Sequence, residues 1–141
     1  MRFTECETAA SDDEIDRVER EVGLKFPADL RRIFHEANGG RPVCPCGGGD
    51  DSHTGVSECL VLSGRDGSAV WTYELFAVSK RLTPPHLFPF AVDDAGDCFF
   101  ADCSSPDGEV VLFVHDTAFE RLRPLNVTLK QFWDCRASRS T

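Results

Sequence analysis

Apolar residues recur along this chain first at a helical period and later at a strand period. Ile15, Val18 and Val22 fall three and four apart, with Asp16, Arg17, Glu19, Arg20 and Glu21 on the other faces, which predicts an amphipathic helix. Ser11 opens it: its hydroxyl is placed to accept from the Glu14 amide, while the Glu14 carboxylate reaches back to the Ser11 amide in a capping box. Asp12 and Asp13 add negative charge at the positive end of the helix dipole. Gly23 supplies the left-handed residue that ends the helix, and Leu24 and Phe26 return the chain to the core. Pro27, tolerated in a first turn, marks a second helix with Leu30, Ile33, Phe34 and Ala37 as its buried stripe, closed by Asn38-Gly39-Gly40.

Further on, Val56–Leu62 predicts a first strand. From Ser68 to Leu82, Trp71, Leu75, Val78 and Leu82 stand four, three and four apart, the spacing of a helix face, behind the turn Gly64-Arg65-Asp66-Gly67. Three strands are then expected in an antiparallel meander: Leu87–Val92, Cys98–Asp102 and Val110–His115. Asp93-Asp94-Ala95-Gly96-Asp97 and Ser104-Ser105-Pro106-Asp107-Gly108 supply the turns between them, since Gly accepts positive φ and Asp bonds its own backbone. The third strand is apolar on both faces, with Val110, Leu112 and Val114 on one and Val111 and Phe113 on the other, so it is expected to be covered on both sides. The helices would cover one face and leave the other to loops or a partner. The expected class is α+β, with two N-terminal helices, a mainly antiparallel central sheet, a middle helix and a C-terminal helix. One domain is expected over residues 1–141, with its core at 11–135. The Gly-, Asp- and Cys-rich segment Cys44–Gly55 reads as an exposed loop.

The punctuation from Ser11 to Pro42 resembles the N-terminal signature of the SUKH superfamily, the Smi/Knr-like proteins. Leu87-Phe88-Pro89-Phe90-Ala91, an acidic turn and Gly96-Asp97 before Cys98-Phe99-Phe100 resemble its second signature. Val110-Val111-Leu112-Phe113-Val114-His115-Asp116 resembles the strand that follows, and Thr128-Leu129-Lys130-Gln131-Phe132-Trp133 the closing helix. The resemblance implies the fold above, with Pro27, Asn38, Gly39, Gly40, Gly96 and Asp97 as structural motif residues and Asp97 fixing its turn. It also implies a binding role. Bacterial members are known mainly as immunity proteins that neutralise toxins, many of them nucleases, whereas fungal members act as regulatory scaffolds.

Composition narrows this picture. At 141 residues one core suffices without staples, since roughly 68–70% of the unfolded surface is buried at that size. Lys plus Arg number 15 and Asp plus Glu 24, a net charge of -9. Such a field repels nucleic acid and anionic membranes and favours a basic partner. The basic groups, Arg31-Arg32 among them, read as solvated faces. The N-terminus has neither a secretory apolar core nor an Arg-rich transit pattern, and no apolar stretch suits a membrane span, so a cytoplasmic location with seven reduced cysteines is expected.

Each group of reactive side chains also has a plain structural reading. Cys44, Cys46, His53 and Cys59 are zinc-type ligands within a short span, but one Pro between the paired cysteines does not match common zinc spacings, and an unliganded loop is the expectation. Cys98 or Cys103 with His86 or His115 would supply a nucleophile and base, against packed core thiols. His115-Asp116 reads as a turn-facing pair. Gly47-Gly48-Gly49-Asp50 lacks the Lys-Ser/Thr of a phosphate loop, so no nucleotide and no other cofactor is expected. Asp93, Asp94, Asp97, Asp102 and Asp107 form the acidic candidate surface, read together with the sheet face and the Cys44–His53 loop as the contact for a basic toxin, against solvated turns. The expected function is non-enzymatic toxin neutralisation, with a regulatory scaffold as the alternative and a thiol-dependent enzyme behind it.

Overall fold

Ser11 does cap the first helix, its hydroxyl accepting from the Glu14 amide at 3.1 Å, and α1 runs Asp12–Val22 to a left-handed Gly23 at φ 77°. The return half of the capping box is replaced: the Glu14 carboxylate accepts from the Ser63 hydroxyl at 2.8 Å, tying α1 to a distant loop. α2 runs Ala28–Ala37 directly after Pro27, and Leu30, Ile33, Phe34 and Ala37 are all buried. The computed structural model describes residues 3–4, 9–42, 56–115 and 121–133.

Two short strands, β1 (Phe3–Thr4) and β2 (Arg41–Pro42), pair as an antiparallel ribbon that the hydrophobic pattern did not announce. The expected strand Val56–Leu62 contributes a ladder of two residues, β3 (Glu58–Cys59), although the Ser57 and Leu60 amides also donate to Val92 and Phe90 carbonyls. β4 (Leu87–Val92), β5 (Cys98–Asp102) and β6 (Glu109–Phe113) form the expected meander. A further strand, β7 (Leu122–Thr128), completes an antiparallel sheet in the order β3-β4-β5-β6-β7. Residues 129–133 are helical and form α4. Thr128 and Gln131 make a reciprocal cap there: Gln131 N donates to Thr128 Oγ1 at 3.1 Å, and Thr128 N donates to Gln131 Oε1 at 3.0 Å.

The middle helix differs most from its sequence pattern. α3 is α-helical over Ala69–Tyr73, capped by the Ser68 hydroxyl, and continues with π-helical winding over Glu74–Ser79. Its buried residues are Ala69, Val70 and Tyr73, not the stripe Trp71, Leu75, Val78 and Leu82. The stretch is apolar on more than one side, so periodicity alone picked the wrong face. The wider winding lets both Tyr73 and Phe76 reach inward. Tyr73 lies 5.6 Å, ring to ring, from Phe88, whereas Phe76 lies 5.0 Å from Phe113 and 5.8 Å from Phe100.

The sheet is therefore covered on both faces. On one side, α1, α2 and α4 pack Ile15, Leu30, Phe34 and Phe132 onto Phe88, Phe90, Phe99 and Val110. On the other, Leu87, Cys98, Phe100 and Phe113 form a second cluster closed by Phe76. The second face was expected to await loops or a partner, and the π-helical segment partly occupies it instead. Each fully buried Phe or Leu in these clusters contributes about 1.5–3 kcal/mol of transfer free energy.

Candidate functional site

The turn between β4 and β5 is built by Asp93. Its Oδ1 accepts from the amides of Ala95 and Asp97, both at 2.9 Å, while Gly96 turns the chain at φ 87°. That places Asp97, 9% exposed, against the end of β6. Asp97 Oδ1 accepts from the His115 amide at 3.0 Å and lies 2.5 Å from His115 Nδ1. One carboxylate thus clamps two strand ends, and the His115 ring, 3.7 Å from where a Cβ on Gly96 would stand, stays half exposed. The sequence paired His115 with Asp116. Its partner is Asp97, and Asp116 lies outside the described residues.

At the far end of β5 a second turn repeats the device. Asp102 Oδ1 accepts from the Ser104 amide and hydroxyl at 2.8 and 2.5 Å, with His86 Nε2 at 4.0 Å. Asp107 and Glu109 are exposed beside an open cleft that they line with Asn126, Val127, Thr128 and Gln131. Gly108, at φ 61°, lies deeper. A Cβ there would stand 2.6 Å from Leu129 Cδ1 and 3.0 Å from Pro27 Cγ, so the start of α2 and α4 close over this turn.

The five candidate aspartates are consequently not one patch. Asp93, Asp94 and Asp97 sit at one end of β5, Asp102 and Asp107 at the other, with the strand itself setting the two groups roughly 17 Å apart. Asp93, Asp97 and Asp102 spend their carboxylates on turn amides, while Asp94 and Asp107 project into solvent. Of the residues weighed for zinc, Cys44, Cys46 and His53 lie outside the described residues, and Cys59 is buried in β3. Among the described residues no three metal-type side chains converge.

The other signature residues stitch the helical pair to the sheet. Asn38, buried, accepts from the Leu62 amide through Oδ1 at 2.8 Å. Gly39 turns at φ 75° and donates to the Leu60 carbonyl, and the Gly40 carbonyl accepts from Cys59 N at 2.8 Å.

Burial governs the thiols. Cys98 is fully enclosed, and desolvation, helped by the charges of Asp93 and Asp97, pushes its pKa far up. Desolvation also pushes Cys103 up to about 12, with Asp102 and Glu19 adding to it. Both are protonated near neutral pH, the opposite of an activated nucleophile. Cys98 and Cys103 also sit at opposite ends of β5. His115 stands at the first end and His86 at the second, so the four candidates do not form one catalytic group.

One polar cluster escaped the sequence reading. Arg31, which the pattern places on a solvated face, donates to Asp16 and Asp12 at 3.0 and 3.1 Å and to Glu19 at 3.1 Å, joining α2 to α1. Glu19 Oε2 also accepts from Phe26 N at 2.6 Å, and His35 Nε2 lies 3.0 Å from Asp12. Hydrogen bonds from Arg31 and then His35 hold the Asp12 carboxyl below its ordinary value. The signal was present in the spacing of Asp12, Asp16 and Glu19, which places three acids on one side of α1.

Taken together, a five-stranded antiparallel meander, helices α1, α2 and α4 on one face, a π-helical segment on the other and Asp-built turns define an α+β domain. The chain belongs to the SMI1 / KNR4 family (SUKH-1), whose model matches residues 9–134. No curated protein and no solved structure matches it. No helix among the described residues is long and apolar enough to cross a membrane.

Proposed function

We propose that this chain is an immunity protein that binds and neutralises a cognate basic toxin, a nuclease being the best electrostatic fit, without catalysing a reaction. The observation that carries the reading is the net charge of -9 on a SUKH-1 chain, with exposed carboxylates at both ends of its sheet. Complementary charge raises the association rate and rejects wrong partners. The same field disfavours nucleic acid and anionic membrane as partners, and the proposed place of action is the cytoplasm. Of Asp93, Asp94, Asp97, Asp102 and Asp107, which lie in two groups at opposite ends of β5, the two exposed residues, Asp94 and Asp107, meet the toxin. The other three hold the turns that present them.

A regulatory scaffold of the Smi/Knr type is the second reading, favoured by the exposed apolar face on α3. The burial of Cys98 and Cys103 weighs against a thiol enzyme.

Co-purification from the native cell with a C-terminal tag, read by mass spectrometry, tests the proposal. Recovery of a basic protein with a toxin-like C-terminal domain is the expected result, and recovery of nothing, or of the chain alone, contradicts it. With the toxin in hand, Asp94→Lys combined with Asp107→Lys should slow association and flatten its salt dependence while leaving both turns intact. Unchanged kinetics would remove these acids from the interface.

A further inference from the structure

We infer that β7 is a guarded edge: Pro124, the left-handed Asn126 and the Gln131 side chain together close it to strand addition and keep a second copy of this chain from pairing there. β7 ends the sheet in the order β3-β4-β5-β6-β7. An end strand turns a row of backbone donors and acceptors away from its neighbour, which is a template for another strand. At the opposite end of the sheet that row is already used. Cys59 N donates to the Gly40 carbonyl at 2.8 Å and Gly39 N to the Leu60 carbonyl at 3.3 Å, so the chain entering β2 lies along β3.

The register identifies which groups of β7 face outward. Val114 N donates to the Arg121 carbonyl at 2.7 Å, and two residues on Arg123 stands opposite Leu112, so Arg121 and Arg123 aim their backbone groups at β6. Leu122 and Pro124, opposite Phe113 and Val111, alternate with them and face away. Pro124 has no N–H to offer at that position. A β-branched residue would pack better opposite Val111, so the β6–β7 pairing itself does not call for a proline.

Beyond Pro124 the register shifts, and Asn126 at φ 60° bends the strand out of line. Leu129 N donates to the Gly108 carbonyl at 2.9 Å, which turns the Thr128 amide the other way, and there it donates to Gln131 Oε1 at 3.0 Å. The outward side of β7 thus presents Leu122 in strand geometry, then a missing donor, a left-handed bend and a donor already bonded within the molecule. Exposed Arg123 adds a positive charge to the same strand. A sheet closed at both ends meets its partners through side chains and turns, not through main-chain pairing. The inference rests on the β6–β7 register and is independent of the immunity reading.

Pro124→Val combined with Gln131→Ala returns two donors to the outward side. Sedimentation velocity of the full chain over a concentration series, with infrared spectra of the same samples, compares this variant with the wild type at high salt, where repulsion between copies of net charge -9 is screened. The variant should associate at concentrations at least about ten-fold below the wild type, as expected for two or more regained hydrogen bonds, and should gain an intermolecular β-sheet band. Identical sedimentation of the two at every concentration would overturn the inference. Gln131→Ala also removes part of the α4 cap, so Pro124→Val alone is the second variant: it should associate in the same sense, and a folded Pro124→Val chain as dispersed as the wild type would equally overturn it. Amide exchange reads the remaining element. The Thr128 amide should exchange about five-fold faster in Gln131→Ala than in the wild type, the effect of one lost hydrogen bond, and equal rates would mean that Gln131 leaves this edge open.

Discussion

The α1–α2 pair and α3 with its π-helical continuation are both apolar at helical spacing, yet the spacing identifies the buried face in the first and the exposed face in the second. In α2 the apolar residues are confined to one stripe, and Leu30, Ile33, Phe34 and Ala37 go inward because the alternative face is charged. In α3 there are two apolar stripes. The shape of the sheet, with one aromatic pocket beside Phe88 and another beside Phe100 and Phe113, selects Tyr73 and Phe76 and leaves Trp71 outside. Periodicity therefore locates a buried face when the remaining faces are polar. Where they are not, the pockets of the sheet decide which side goes inward.

Truncation gives the widest separation between the two regions. Phe34→Ala should cost about 3–5 kcal/mol of stability in denaturant unfolding, while Trp71→Ala, at a side chain 43% exposed, should cost clearly less, about 1–2 kcal/mol. Equal losses would erase the distinction. Gly108→Ala probes the closure of α2 against the sheet, where the new methyl group meets Leu129 and Pro27 and the backbone holds a positive φ. The summed strain and overpacking should cost about 2–4 kcal/mol, read by the same unfolding curve. On the α3 side, Arg81→Gly should leave stability unchanged or raise it by up to about 1 kcal/mol, since Gly carries no penalty at this φ. A clear loss would mean that the Arg81 side chain contributes within the monomer.

Much of the scaffold was legible because its signals are local and mutually consistent. Ser11, Gly23, Pro27 and Asn38-Gly39-Gly40 each satisfy a helix end, and the turns around Gly96 and Gly108 fall between continuous apolar runs. What remained hidden depends on distant parts of the chain. β7 carries Pro124 and a left-handed Asn126 at φ 60°, which blur any alternation, and it becomes a strand because β6 offers it an edge. The Glu14 carboxylate turned to Ser63, a partner 49 positions away, instead of its own cap. The acidic candidates were legible as residues but not as a surface, because sequence proximity of two turns concealed that a whole strand separates them. His115 was noted beside Asp116, yet strand pairing delivers it to Asp97.

The two-sided character of α3 is the central claim, and Trp71 reports on it directly. Subtracting the fluorescence of Trp71→Phe from that of the wild type isolates Trp71 from the buried Trp133. The account predicts a red-shifted Trp71 that acrylamide quenches readily. A Trp71 signal that is blue-shifted and protected would place that residue in the core and contradict it.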